Sequence, residues 1–148
     1  MQSPITIRGI ITARLFGPDG ELTQETVTEN IITNTGRALI IDRLQAAGVA
    51  VPDYIAIGTG TNAAAAADTT LQTEVARAQA TLSQPDAYTD RAVYTFAAGT
   101  GTGTITEAGR LNAASTGVLV ARGILGSSVV KTASDSLQMT YDLTYAAS

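Results

Sequence analysis

Ser136-Leu137-Gln138-Met139-Thr140-Tyr141-Asp142-Leu143-Thr144-Tyr145 alternates apolar and polar side chains without a break. A strand turns successive side chains to opposite sides, so Leu137, Met139, Tyr141, Leu143 and Tyr145 share one face, and Gln138, Thr140, Asp142 and Thr144 the other. One side of this strand is expected to face a core. Reading back from it, strand signals recur at the short spacing of sandwiches and small barrels: Ala78 to Leu82, Arg91 to Ala97, Gly103 to Ala108 and Val118 to Ile124. Turns and loops separate them at Gly99-Thr100-Gly101-Thr102-Gly103, Ala113 to Gly117 and Gly126 to Asp135.

The N-terminal third reads differently. Ile5 to Phe16 and Leu22 to Ile32 are β-rich and flank Gly17-Pro18-Asp19-Gly20, where Pro presets φ and Gly supplies a positive one, so a long hairpin is expected. Ile5, Ile7, Ile11 and Leu15 fall on one face of its first strand, Ile10 and Phe16 on the other. The returning strand is polar, with Thr23, Glu25, Thr26, Thr28 and Glu29, which suits an edge or arm able to pair with a neighbouring subunit. Ile5, Ile7, Ile10, Leu15 and Phe16 are the candidate interface residues of that arm. A helix is expected from Thr35 to Ala47, capped by Thr33, Asn34 or Thr35 and ended by Gly48, with Ile40, Ile41, Leu44 and Ala47 on its packed face. Val51 to Ile57 follows as a short buried strand, and Asp68 to Ala78 is expected to hold one or two helical turns with Leu71 and Val75 on one side. The fold class is mainly β: an antiparallel β-sandwich or small barrel with one packed α-helix and an N-terminal β-hairpin arm. Residues 1–33 form the arm and residues 34–148 the β-rich domain with helix 35–47, in one compact domain overall.

Composition narrows the chemistry. The 148 residues hold no cysteine and no histidine, which removes disulfides, thiolate and imidazole metal sites, cysteine nucleophiles and every histidine-based triad. The acids are scattered, without the spacing of an oxygen-ligand loop, so no metal and no cofactor is expected. A net charge of −4 and a single lysine, Lys131, leave no electrostatic footprint for a phosphate backbone, and no nucleic acid is expected as a partner. No apolar run approaches the roughly 20 residues of a membrane helix. Met1 to Arg8 lacks the pattern of a secretion signal, so synthesis and folding in a cytoplasm are expected, with no membrane partner. Aromatics are only 5% of the chain, so the core rests on Ile, Leu, Val and Ala, and oligomerisation would reinforce it.

Two features invite a site. The runs Gly58-Thr59-Gly60-Thr61 and Gly99 to Gly103 could cradle an anion with successive N–H groups, but the Gly-Lys-Ser/Thr ending of a P-loop is missing and turn chemistry explains both. Glu74, Glu107, Arg77 and Arg110 are charges set among small or apolar residues. Glu74 and Glu107 could form the acid and base of a hydrolase; without Trp and with two Phe, the chain lacks the aromatic platforms such a cleft uses, and a structural ion pair is the expected role.

The order of segments carries a resemblance. Ile31-Ile32-Thr33-Asn34-Thr35-Gly36-Arg37, Tyr54-Ile55-Ala56-Ile57-Gly58-Thr59-Gly60-Thr61, Asp68-Thr69-Thr70-Leu71-Gln72-Thr73-Glu74-Val75-Ala76-Arg77, Ile105-Thr106-Glu107-Ala108-Gly109 and Lys131-Thr132-Ala133-Ser134-Asp135-Ser136-Leu137 follow one another. This series, from about Asn30 to Tyr145, resembles small structural proteins of tailed bacteriophages, including the N-terminal domain of tail-collar and tail-fibre proteins. Arg110-Leu111 departs from it, standing where such proteins more often show Leu-Phe. The resemblance implies a non-enzymatic virion protein with other virion proteins as partners, a homo-oligomer (trimer or higher), and a tail location at collar, baseplate or fibre attachment. Capsid decoration as a cement protein is the alternative. It also implies that Glu74, Arg77 and Glu107 meet in one structural polar cluster. Only Ala146-Ala147-Ser148 follow Tyr145, so an adaptor or cement subunit is expected rather than a complete fibre. A host-surface or carbohydrate-binding module is the expectation from another class, using the polar loops at Thr59 to Thr61, Gly99 to Gly103 and Ala113 to Gly117.

Overall fold

The computed structural model describes residues 5–147 and is mainly β. In chain order the elements are β1 (Ile5–Phe16), β2 (Leu22–Ile32), α1 (Asn34–Leu44), β3 (Tyr54–Gly58), β4 (Glu74–Gln79), β5 (Thr81–Asp86), β6 (Thr89–Phe96), β7 (Gly103–Leu111), β8 (Leu119–Lys131) and β9 (Ser136–Ala147). All neighbours pair antiparallel, in the order β4-β3-β7-β8-β2-β1-β9-β6-β5, and the sheet curls into a half-barrel. Two strands make its corners. β2 pairs with β1 along its length and with β8 only at Ile31 and Ile32, while β4 runs through Ala80 straight into β5, each lying at an end of the sheet. Strands that pass from one layer to the other in this way are how curled sheets close over a core.

That core sits on the concave side. β9 supplies Leu137, Met139, Tyr141 and Leu143, β1 supplies Ile11, Ala13 and Leu15, β3 supplies Ile55 and Ile57, and β6 to β8 add Phe96, Ile105, Leu125 and Val129. The alternation of the last strand therefore holds through Leu143. Tyr145 departs from the buried face and is 38% exposed at the rim. The hairpin forms over the expected residues, its turn closed by Gly20 N–H to the Gly17 carbonyl at 2.9 Å with Gly20 at a φ of +81°.

The N-terminal hairpin is not an arm. β1 lies between β2 and β9 and is laddered to β9 from Ile5↔Ala147 to Phe16↔Ser136, so it is interior to the sheet. Leu15 belongs to the core; Ile7, Ile10 and Phe16 are half-buried, and Ile5 alone of the five is exposed. Of the polar residues that made the hairpin look like an appendage, Thr23, Glu25 and Glu29 are the outward face of β2, itself interior to the sheet, while Thr26 is buried. Beyond Ile31 the β2–β8 contact passes to side chains: Gly126 N–H donates to Thr28 Oγ1 at 2.8 Å and Gln24 Nε2 to the Ser128 carbonyl at 3.0 Å.

The helix is shorter than expected and docks by another face. Thr33, fully buried, caps it by accepting from Gly36 N–H at 3.0 Å. Its last turn gives way at Gln45, and Ala46 already has a φ of +53°, so Ala47 lies outside and Gly48 ends nothing. Gly36 and Leu39 meet β8, whereas Ile41 and Leu44 are 58% and 74% exposed. The reason is the approach at Gly36: a methyl group there would overlap the Val120 carbonyl, so only this stripe lets the helix reach the sheet. The helical turns expected over Asp68 to Ala78 are also absent. Glu74–Gln79 is strand β4, with Val75 half out in solvent while Leu71 is buried against Ala56, Leu111 and Leu119.

Gly36→Ala should lower the unfolding free energy by about 1–3 kcal/mol, as overpacking does, while Ile41→Ala should stay within about 0.5 kcal/mol. Urea unfolding followed by circular dichroism checks both. Equal effects would mean that the helix does not dock through Gly36.

Candidate functional site

Most of the molecule's buried charge lies where β3, β7 and β8 run side by side. Glu107 on β7 stands opposite Gly58 of β3 and Ile124 of β8, with Arg122 two register positions further along β8. Its side chain is fully buried and every acceptor direction is used. Oε1 accepts from the N–H groups of Gly60 at 3.0 Å and Thr73 at 2.7 Å; Oε2 accepts from Gln72 N–H at 3.0 Å and from Arg122 Nε at 2.9 Å. Arg122 spends its other donors on Asp68 Oδ2 at 2.8 Å and the Asn62 carbonyl at 3.0 Å. One carboxylate thus gathers two loops, one strand and a cation.

The glycines of Gly58-Thr59-Gly60 have their explanation here. A Cβ at either would press on Glu107 Oε1, at 2.6 Å from Gly58 and 2.5 Å from Gly60. The loop does cradle an anion, and the anion is the protein's own carboxylate. The same bonds explain why Asp68 to Thr73 is not helical: the Gln72 and Thr73 N–H groups that a helix would turn on its own carbonyls point at Glu107 instead.

Burial by itself would raise the Glu107 carboxyl. The N–H groups of Thr73 and Gln72, the Arg122 guanidinium and the Gly60 N–H outweigh it and hold the group below its ordinary value of 4.5. Asp68 is likewise lowered: its partial burial opposes the shift, and the Ala65 N–H and Arg122 more than offset it. Glu107 is consequently an ionised, fully bonded anion at neutral pH, with no proton to donate and no lone pair to offer. That is the opposite of what a general acid or base requires.

The expected cluster of Glu74, Arg77 and Glu107 resolves into two separate groups. Glu74 does sit beside Gly58 on the strand opposite Glu107, so the three come into one neighbourhood. Yet Glu74 is paired with Arg77 alone, at 2.7 and 3.0 Å, and Arg77 reaches on to the carbonyls of Ala113 and Thr116, both at 2.9 Å. No hydrogen bond or ion pair joins the two groups among the described residues. Two of the loops expected to serve a ligand are therefore used internally: 59–61 wraps Glu107 and 113–117 is held by Arg77.

Arg122, Asp68 and Gln72 are the residues that sequence reasoning missed. A signal existed for the first, since an arginine in Val118-Leu119-Val120-Ala121-Arg122-Gly123-Ile124-Leu125 must find a partner once the strand is buried. The other buried cations are closed in the same manner. Arg110 donates to the Pro52 carbonyl at 2.7 Å and to Asp90 Oδ2 at 2.8 Å. Lys131 donates to the carbonyls of Ala97 at 2.9 Å and Asp135 at 2.8 Å. Among the described residues no group of three potential ligands is placed to hold a metal ion.

Glu107→Gln should cost about 3–5 kcal/mol, because Arg122 is left buried with half its charge unmet, whereas Glu74→Gln on the half-exposed pair should cost at most about 1 kcal/mol. Chemical denaturation of the two variants measures this, and a near-neutral Glu107→Gln would refute the central role of the carboxylate. Acid gives an independent check. A carboxyl whose folded value lies below its unfolded one stabilises the fold fully above the unfolded value, and that contribution is lost as pH falls through the folded one. Stability should therefore decline below about pH 4.5, and the decline should be shallower in Glu107→Gln. Denaturation midpoints across a pH series test it.

Comparison of the chain with protein-family models, with curated proteins and with solved structures finds no match in any of the three.

Proposed function

We propose that the chain is a non-enzymatic structural subunit of a tailed-bacteriophage particle, attached at the tail through contacts with other virion proteins and with further copies of itself. The observation that carries this reading is a set of buried charges bonded inside the protein, beside apolar side chains left on the surface. Glu107, Arg110, Arg122 and Lys131 are buried and closed on protein partners, while Val27, Ile41, Leu44, Tyr88 and Val130 stand more than half exposed. A subunit of an assembly keeps its reactive groups locked in scaffolding and turns apolar side chains outward, for neighbours to cover. The segments that carry the phage resemblance add support, since Gly58-Thr59-Gly60, Asp68 to Thr73 and Glu107 are the parts that meet around one carboxylate.

Antibodies raised against the purified protein should decorate the tail of particles produced from the genome that encodes it, as seen by negative-stain electron microscopy. Label on the head would replace the tail placement with capsid decoration. Unlabelled particles, together with absence of the chain from their protein content by mass spectrometry, would refute the structural role.

A further inference from the structure

The turn between β5 and β6 and the end of β9 enclose a surface cavity of about 450 Å³, lined by Gln84, Ala87, Tyr88, Thr89, Asp90 and Tyr145. Two of the chain's five tyrosines meet there, Tyr88 at 69% exposure and Tyr145 at 38%. Their spacing is set by the backbone: Tyr145 N–H donates to the Tyr88 carbonyl at 3.0 Å, and Asp86 Oδ1 accepts from Tyr88 N–H at 2.8 Å. The turn is pinned further by Thr89 Oγ1, 3.0 Å from Asp86 Oδ2 and 3.1 Å from Thr144 Oγ1. The backbone under both rings is therefore in place before a ligand arrives.

Asp90 supplies a polar anchor. Arg110, completely buried, donates to its carboxylate Oδ2 at 2.8 Å and to its carbonyl at 3.2 Å, fixing both ends of the residue. Among the described residues Asp90 Oδ1 accepts no hydrogen bond, and its side chain is 44% exposed. Gln84 contributes an amide whose only side-chain hydrogen bond among the described residues is a long one, 3.4 Å to the Ala87 carbonyl. Burial raises the Tyr145 phenol and the Asp90 carboxylate adds to the effect, so that hydroxyl stays a neutral donor.

We propose that this cavity binds a neutral oligosaccharide, with a pyranose ring against Tyr88 and Tyr145 and its hydroxyls on Asp90 and Gln84. A sugar ring offers an apolar C–H face bordered by hydroxyl groups. Aromatic rings on a pinned backbone beside a fixed carboxylate and an amide are the complement to that pattern. Charge narrows the class. The nearby cation, Arg110, has its donors turned on Asp90, Pro52 and Tyr141 inside the protein, so among the described residues no cation lines this cavity, and the Asp90 carboxylate repels acidic sugars and phosphates. Room for a second residue adjoins it, because a largely apolar trough of about 380 Å³ shares Asp90 and Tyr145 with the cavity; its one cation, Arg43, donates to the Val49 carbonyl at 2.8 Å. The site lies away from the three loops that the sequence offered for a glycan, and it does not depend on where in a particle the chain resides.

The full-length protein, probed on an array of neutral and sialylated oligosaccharides, should bind at least one neutral glycan. Calorimetry with that glycan should show saturable binding. Tyr88→Ala should weaken the affinity by about tenfold or more, and Gln84→Ala should weaken it measurably. Both positions are exposed, and an unchanged melting curve shows that the variants are folded. The proposal is overturned by an array with no neutral binder, by preference for sialylated glycans, or by affinity that survives Tyr88→Ala and Gln84→Ala in folded protein.

Discussion

Taking the Glu107 carboxylate out of water is expensive, and the structure around it is arranged so that the cost is met in full. Three backbone N–H groups and one guanidinium converge on two oxygens, which is about the capacity of an ionised carboxylate. Those donors come from the loop after β3, the loop before β4 and the middle of β8, so a single ion holds parts of the chain that are far apart in sequence. The glycines at 58 and 60, the extended course of residues 68–73 and the placement of Arg122 are all consequences of that demand. The interaction is one of specificity at least as much as of strength. A hydrophobic replacement of the pair could be as stable, but it would not tell the two loops where to stop.

The same principle recurs elsewhere in the domain. Arg110 gathers Pro52 and Asp90, Arg77 gathers the loop at 113–116, and Lys131 gathers the ends of β6 and the β8–β9 turn. Each long cation ends on carbonyls that regular strand pairing leaves unsatisfied. A chain poor in aromatic residues uses these spokes to organise connections that a bulkier core would organise by packing. The surface is then free to carry Ile41, Leu44 and Tyr88, and the reading as an assembly subunit rests on that division of labour.

How far the sequence could be read depended on the range of the forces involved. The hairpin and the last strand were legible because a Pro-Gly turn and a period of two are local, and both strands run where the pattern puts them. The partner of Glu107 was not, since Arg122 becomes its neighbour only through the β7–β8 register. The helix face failed for a related reason: Ile40, Ile41 and Leu44 give the more hydrophobic stripe, but the close approach at Gly36 decides which stripe can touch β8. In residues 74–79 helix-forming residue types met an unpaired edge of β3, and the ladder prevailed. The interior position of β1 was equally hidden, because alternation fixes the face a strand presents and says nothing of its neighbours. The Tyr88–Tyr145 pair was invisible because the two lie far apart in the chain and meet only through the β6–β9 register.

Pairing of β1 with β9 joins Ile5 to Ala147, the two ends of the described chain. That contact spans nearly the whole sequence, so the entropy of closing the loop must be met before the ladder returns anything, and such topologies fold slowly. During synthesis the hairpin emerges well before β9, the second partner of β1. Until β9 has been made and has paired, β1 presents an open edge bearing Ile7, Ile11 and Leu15, and the nascent domain is at its most adhesive while it is still being made.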